Sequence, residues 1–169
     1  MTRSYRYVGP SEIAARVVDA GGGIIVDSVE NLTNSLRSLG GYQNEETFTV
    51  TFVIGLDCKL RIADRRSEHV ACAKGHAVLS AGEMTFGSDK TAVVVERVTN
   101  QSTGYCPEPK SWQSVTDALD EISIAHPNSF DPAFEFRRCP SCCQINVVKD
   151  GWFTCDVCES PLPENWNFD

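Results

Sequence analysis

Two cysteine pairs of identical spacing, Cys139-Pro-Ser-Cys142 and Cys155-Asp-Val-Cys158, stand twelve residues apart near the end of the chain. Zinc takes four soft or borderline donors at tetrahedral positions about 2.3 Å away, and a C-x-x-C turn points two sulfurs at one ion. The spacing therefore predicts a single Zn2+ on Cys139, Cys142, Cys155 and Cys158. Four thiolates leave no position open for water, so the expected role is structural. The competing reading is two redox or disulfide pairs. Cys143 is a fifth thiol in the same stretch. Its side chain points away from the metal if that of Cys142 points toward it, and it can replace a neighbour only at a C-x-x-x-C spacing.

Between the pairs, Asn146-Val-Val-Lys-Asp-Gly-Trp-Phe-Thr154 reads as a hairpin, because Asp150-Gly151 is a strong type I′ turn signal between apolar strand residues. Such a hairpin would bring the two pairs face to face. From Phe136 to Leu162 this arrangement resembles the zinc-ribbon family, and the resemblance implies a structural Zn(Cys)4 site on the same four cysteines. Ribbons of that kind often bind nucleic acid, but residues 133–169 carry three basic against six acidic side chains. Four thiolates on one zinc ion add about −2. Phosphate binding is therefore not expected. The segment is expected to cover an edge or face of the main domain, or to present Trp152, Phe153, Trp166 and Phe168 to a protein partner.

A second concentration of polar residues lies upstream: Arg65, Arg66, Ser67, Glu68, His69, Glu83, Asn100, Gln101, Ser102 and Tyr105. Here His69 has the chemistry of a general base, with Glu68 or Glu83 to orient it and Ser67 or Ser102 as nucleophile. Arg65 and Arg66 offer forked donors to an anion. Gly82, beside Glu83, permits close approach to a strand. No motif with diagnostic spacing accompanies these groups: the chain has no GxSxG, phosphate loop, GxGxxG or HExxH. The plain alternative is a solvated loop with internal ion pairs, a scaffold histidine at the entrance to a strand, and Tyr105 packed on a sheet. Cys58, Cys72 and Cys106 read as small buried residues. In order, His69, Ala81-Gly82-Glu83 and Ser102-Thr103-Gly104-Tyr105-Cys106-Pro107 resemble a module of plant IQ-motif calmodulin-binding proteins, over residues 67–108. This chain has Ser-Thr-Gly-Tyr where that module has Ser-Gly-His-Tyr, and it lacks a basic IQ helix. The resemblance implies a shared sheet-and-loop module, with neither a reaction nor calmodulin binding.

The elements that must position these groups are legible as periodicities. Residues 10–20 suit a first helix with Ile13, Val17 and Val18 on one side, ended by three glycines. Ile24-Ile25-Val26 suits a short strand. From Ser28 to Leu39 a helix capped by Asp27 or Ser28 places Val29, Leu32, Leu36 and Leu39 on one stripe. Phe48, Val50, Phe52 and Ile54 alternate with threonines and Val53, and a turn at Gly55-Leu56-Asp57 leads into a return strand from Lys59. Two more strands fit residues 76–86 and 91–99. A helix fits 111–124, with Trp112, Val115, Leu119 and Ile122 inward and Ser111 as its cap. The fold class is α+β: a mostly antiparallel sheet with two or three helices over residues 1–130, followed by a zinc ribbon at 133–169.

The chain of 169 residues, 41% apolar and 22% charged, lies in the globular range, and its net charge of −8 disfavours a phosphate-binding surface. With no apolar run of signal or membrane length at hand, a soluble, cytoplasmic protein is expected. Two functions remain. One is a non-enzymatic binding or adaptor protein with a structural zinc, meeting a protein partner or small anionic ligand through its Gln101–Pro109 loop, with Arg66, Ser67 and Gln101 as ligand contacts. The other is an enzyme acting on a nucleotide or other anionic substrate through Arg66, Ser67, His69, Glu83 and Tyr105, with Ser102 a further catalytic candidate. The missing catalytic spacing favours the first.

Overall fold

The computed structural model describes residues 2–17, 19, 21–41, 46–89 and 91–169. Its elements run α1 (Ser11–Arg16), β1 (Ile24–Val26), α2 (Val29–Ser38), β2 (Phe48–Gly55), β3 (Leu60–Asp64), α3 (His69–Cys72), β4 (Val78–Ser88), β5 (Val93–Thr99), a 3-10 turn (Pro109–Ser111), α4 (Trp112–Glu121), β6 (Glu135–Arg138) and β7 (Ile145–Val148). Strands β1 to β5 form one sheet in the order β1-β3-β2-β4-β5, and every pairing is antiparallel. β6 and β7 form a separate two-stranded sheet. The α+β class read from the sequence holds. No helix among the described residues is long and apolar enough to cross a membrane.

Alternation in β2 decides how the large sheet is covered. Val50, Phe52 and Ile54 point to one side and join Leu60, Ile62, Met84, Phe86 and Val98 beneath Leu32 and Leu36 of α2 and Val115 and Leu119 of α4. Ser28 caps α2 as its type and position foretold, accepting a hydrogen bond from the Asn31 N–H at 3.1 Å. The opposite face is buried too, but by less regular material. Val53 and Ala81 pack there against Val70 and Cys72 of α3, Val78, and the rings of Tyr5 and Tyr105. The threonines of that face find local partners. The Thr49 and Thr85 hydroxyls lie 2.8 Å apart, and Thr51 Oγ1 reaches the carbonyls of Arg65 and Ser67 at 3.1 and 3.2 Å.

Four expectations change. Helix α3 stands where a strand entrance was expected for His69; at four residues it is too short to leave a helical period in the sequence. Ser111 does not cap α4, because its hydroxyl is 3.0 Å from that of Ser80 in a fully buried pair. Cys58 is exposed rather than buried, at a left-handed position (φ 61°) of the β2–β3 turn. The first helix spans Ser11–Arg16 and is shorter than expected, though Ile13 and Val17 pack partly buried against the second-face cluster as their side predicted; Val18 lies outside the described residues.

Gly82 shows what the glycine in β4 is for. A Cβ there would collide with the backbone carbonyl of Thr99 at the end of β5, so the close neighbour is the protein's own chain. Replacing Gly82 by valine is expected to cost about 1–3 kcal/mol through overpacking. Urea denaturation should show the midpoint falling at unchanged slope.

Candidate metal centre

Each C-x-x-C pair is the tip of its own small hairpin. β6 and β7 flank the first, and an isolated bridge between Thr154 and Pro161 flanks the second. The two tips share one hydrogen-bond plan. Cys139 N–H donates to Gln144 O at 2.8 Å and Cys143 N–H to Cys139 O at 2.9 Å; Cys155 N–H donates to Ser160 O at 2.9 Å and Glu159 N–H to Cys155 O at 3.0 Å. Residues four beyond the first cysteine of each pair, Cys143 and Glu159, are left-handed at φ 63° and 59°. Cys143 is therefore the counterpart of Glu159, the residue that closes the knuckle, and its thiol is exposed.

The expected hairpin at Asp150-Gly151 is present but short. Both residues have positive φ, 50° and 70°, as a type I′ turn requires, and one bridge joins Lys149 to Trp152. The long pairing of residues 145–148 is instead with 135–138, across the first knuckle.

The sulfurs of Cys139, Cys142, Cys155 and Cys158 all lie within 4.8 Å of one another. Two approaches cross between the knuckles, 3.5 Å from Cys139 to Cys158 and 3.6 Å from Cys142 to Cys155. Four sulfurs at about 2.3 Å from a tetrahedral zinc sit about 3.8 Å apart, so the donor set fits a metal ion of that size. Contacts across the knuckles join the two C-x-x-C pairs in one cluster. Hydrogen bonds tune the thiols unequally. The backbone N–H of Cys158, then that of Val157, holds Cys155 down at about 6. The Ser160 hydroxyl and N–H lower Cys158. Cys142 is drawn down by the Gln144 N–H, yet burial and the three neighbouring sulfurs push it up to about 12.

One residue ties the two knuckles together. Asn146, buried at the start of β7, donates through Nδ2 to Gln144 O at 3.0 Å and to Cys155 Sγ at 3.6 Å, while its Oδ1 accepts from the Asp156 N–H at 3.0 Å. Sequence reasoning placed it only as a hairpin residue; an asparagine inside an otherwise apolar strand was the available signal. Arg137 braces the centre from the other side. Its buried guanidinium donates to the carbonyls of Phe136, Pro163 and Glu164 and lies over the Phe153 ring.

The aromatic residues of this segment divide. Trp166 and Phe168 turn inward with Phe136 and Cys106, and Trp166 Nε1 donates to Cys106 O at 2.7 Å with its ring against Tyr5. Phe153 is half-buried beside Leu162, whereas Trp152 remains 70% exposed.

The upstream polar residues are only partly assembled. His69 Nε2 lies 3.0 Å from Gly82 O; a carbonyl can only accept, so Nε2 carries the proton and Nδ1 is the basic nitrogen. Burial lowers the His69 pKa, against the Gly82 hydrogen bond and the charges of Glu83 and Glu68. Glu83 accepts from Arg65 Nε at 3.3 Å, so Arg65, Glu83 and His69 share one neighbourhood. The rest disperse. Arg66 and Gln101 are exposed; the Arg66 N–H closes a turn on Asp64 Oδ1, and the Ser67 N–H does so on Asp64 O. Tyr105 is fully buried with its hydroxyl on His76 O at 2.8 Å. Ser102 is buried with no hydrogen-bond partner for its hydroxyl. Asn100 is a structural clamp. Its Nδ2 donates to Pro107 O and Phe134 O at 2.8 Å, and its Oδ1 accepts from the Phe134 N–H at 2.7 Å. None of Arg66, Ser67, His69, Glu83, Ser102 and Tyr105 lines the three cavities found around Ile25 and Arg61, between Val26 and Ile122, and between Val29 and Val93.

Removing the Asn146 amide should weaken metal retention while leaving the thiols in place. Asn146→Ala is expected to lose about 10- to 100-fold in zinc affinity, read by competition with a chromogenic chelator.

No protein-family model, curated protein or solved structure matches the chain, so neither the zinc-ribbon nor the IQ-protein resemblance gains support from such comparison.

Proposed function

We propose that Cys139, Cys142, Cys155 and Cys158 bind one Zn2+ in a structural role, and that the protein is a non-catalytic binding module whose C-terminal ribbon this ion holds in shape. The convergence of four sulfurs within 4.8 Å carries the reading. Zinc supplies a tetrahedral cross-link with no open coordination position. Cys139 and Cys158, with Cys142 and Cys155, would hold it across the two knuckles. Asn146 and the amides of Gln144, Val157, Cys158 and Ser160 would stabilise the thiolate charge.

Binding of a protein partner is supported by side chains that the ribbon leaves outside. Trp152 and Val157 are 70% and 65% exposed, and the exposed carboxylates of Asp150, Asp156 and Glu159 belong to the same two turns. An apolar surface with basic groups at its rim is the complementary chemistry. The Gln101–Pro109 loop is less suited to that task, because Ser102, Tyr105, Cys106 and Pro107 are buried in it. The enzymatic alternative has weaker support, since the Tyr105 hydroxyl is committed to His76 O and Arg66, Ser67, His69, Glu83 and Tyr105 line none of the three cavities described.

Elemental analysis of purified protein is expected to give one zinc, and no iron, per chain. Cys155→Ser should abolish that content and Cys143→Ser should preserve it; retention of full zinc by Cys155→Ser sinks the assignment. Trp152→Ala is expected to change stability by less than about 0.5 kcal/mol, as for other exposed positions without packing duties. A larger loss in thermal unfolding would mean that the ring packs internally and is not offered to a partner.

A further inference from the structure

The second face of the large sheet is covered only in part, and its uncovered corner is a cavity of about 400 Å³. Such a volume is within the range of small-molecule sites, roughly 300–1,000 Å³. Its floor is the cross-strand row Ile25, Arg61 and Val53, which the register aligns across β1, β3 and β2. One wall is the end of α3 and the turn after it, Cys72 to Lys74; another is His76 to Val78; the third is the β2–β3 turn, Gly55 to Asp57. Ile25 and Leu56 are large apolar side chains left 45% and 57% exposed here. Both belong to this lining, and burying them is what an apolar ligand would accomplish.

The charges of the lining run against the sign of the whole protein. Arg61 and Lys74 face a single carboxylate, Asp57, on a chain of net charge −8. Asp57 grips Arg61 through both oxygens, Nη1 to Oδ1 at 2.8 Å and Nη2 to Oδ2 at 2.7 Å. Nη1 also reaches Lys59 O at 3.3 Å. Gly55 makes room for this pair, since a Cβ there would strike the guanidinium and Asp57 Oδ1. That grip orients the guanidinium and leaves its Nε–H and one Nη2 hydrogen without a partner among the described residues. Lys74 is exposed at the rim, with no ion pair to a described carboxylate. Cys72 is no nucleophile here: it is buried, its thiol faces Arg61 O at 3.7 Å, and burial pushes its pKa up to about 12. The site is built for reversible binding.

We propose that this cavity binds a small amphiphilic carboxylate, an apolar acyl or aryl body with one anionic head. The body lies on Ile25, Val53, Leu56, Ala73 and Val78, and the carboxylate meets the free donors of Arg61 and the ammonium of Lys74. The site is separate from the cysteine centre and independent of its metal.

Octanoate, octanol and octylamine share a chain and differ in head group, which makes them suitable probes of the zinc-loaded full chain by amide chemical-shift titration. Octanoate is expected to shift the amides of Gly23, Gly55, Leu56 and Ala77 saturably, with octanol weaker and octylamine weakest. Lys74→Glu, at an exposed position, should weaken octanoate at least tenfold and favour octylamine. Leu56→Asp should abolish binding of octanoate and octanol alike, with unchanged circular dichroism in both variants. Absence of saturable shifts at these amides, equal response to all three probes, or full octanoate affinity in Lys74→Glu would each overturn the proposal.

Discussion

A buried backbone N–H or C=O must find a partner, and at two places between the large sheet and the C-terminus an asparagine side chain supplies both groups that a neighbouring strand would offer. Asn100 does so for Phe134, donating to its carbonyl and accepting from its amide, and adds Pro107 O. Asn167 repeats the arrangement on Arg138, with bonds of 2.9 and 2.8 Å. Asn146 uses the same two groups on two different residues, donating to Gln144 O and accepting from the Asp156 N–H, and so bridges the knuckles. A primary amide carries a donor and an acceptor side by side, which matches one residue of an extended chain. Asn100 joins the end of the large sheet to its following loop and to the residue before β6, Asn167 joins β6 to the C-terminal residues, and Asn146 joins the two knuckles. The cysteine cluster and the aromatic contacts are built on the positions so defined.

The same economy explains the unequal coverage of the sheet. Two amphipathic helices, α2 and α4, cover one face with leucine and valine. The other face is covered by one helical turn, α3, and by chain segments that contribute single large rings, Tyr5 and Tyr105. Rings on loops bury much area but cannot tile a surface continuously, and the corner they leave at Ile25, Arg61 and Val53 is the cavity. The guanidinium on that floor is paired with Asp57 in the space that Gly55 leaves open.

Around the thiols, the arrangement concentrates negative charge and then answers it locally. Four sulfurs within 4.8 Å would repel one another as thiolates, and backbone hydrogen bonds favour the charged form at Cys155 while burial and the neighbouring sulfurs disfavour it at Cys142. A divalent cation removes the conflict. Backbone amides in the two knuckles are already directed at the sulfurs, so the peptide chain bears part of the cost of assembling them.

The short-range features were legible because they depend on neighbours in the chain. The alternation in Phe48–Ile54, the Ser28 cap, the Asp150-Gly151 turn and the two C-x-x-C pairs each express a local rule, and each is where it was read. Features that depend on what lies opposite were not legible. Ser111 looked like a cap until Ser80 stood across from it, and Cys58 looked buried until the turn carried it outward. Spacing already sets Cys143 apart, and its left-handed backbone, matching that of Glu159, supplies the structural reason. The polar residues from Arg65 to Tyr105 suggested one pocket, yet Tyr105 went to the core and Asn100 to a clamp, because a buried polar atom takes whichever partner the packing provides. By itself the sequence determined the longer secondary elements of the large sheet, its two amphipathic helices and the identity of the clustered cysteines, through periodicity and spacing; the single turn of α3 and the strand β6 left no such pattern. Only the tertiary structure decided which polar groups meet and where the second face stays open, since those depend on segments far apart in the chain.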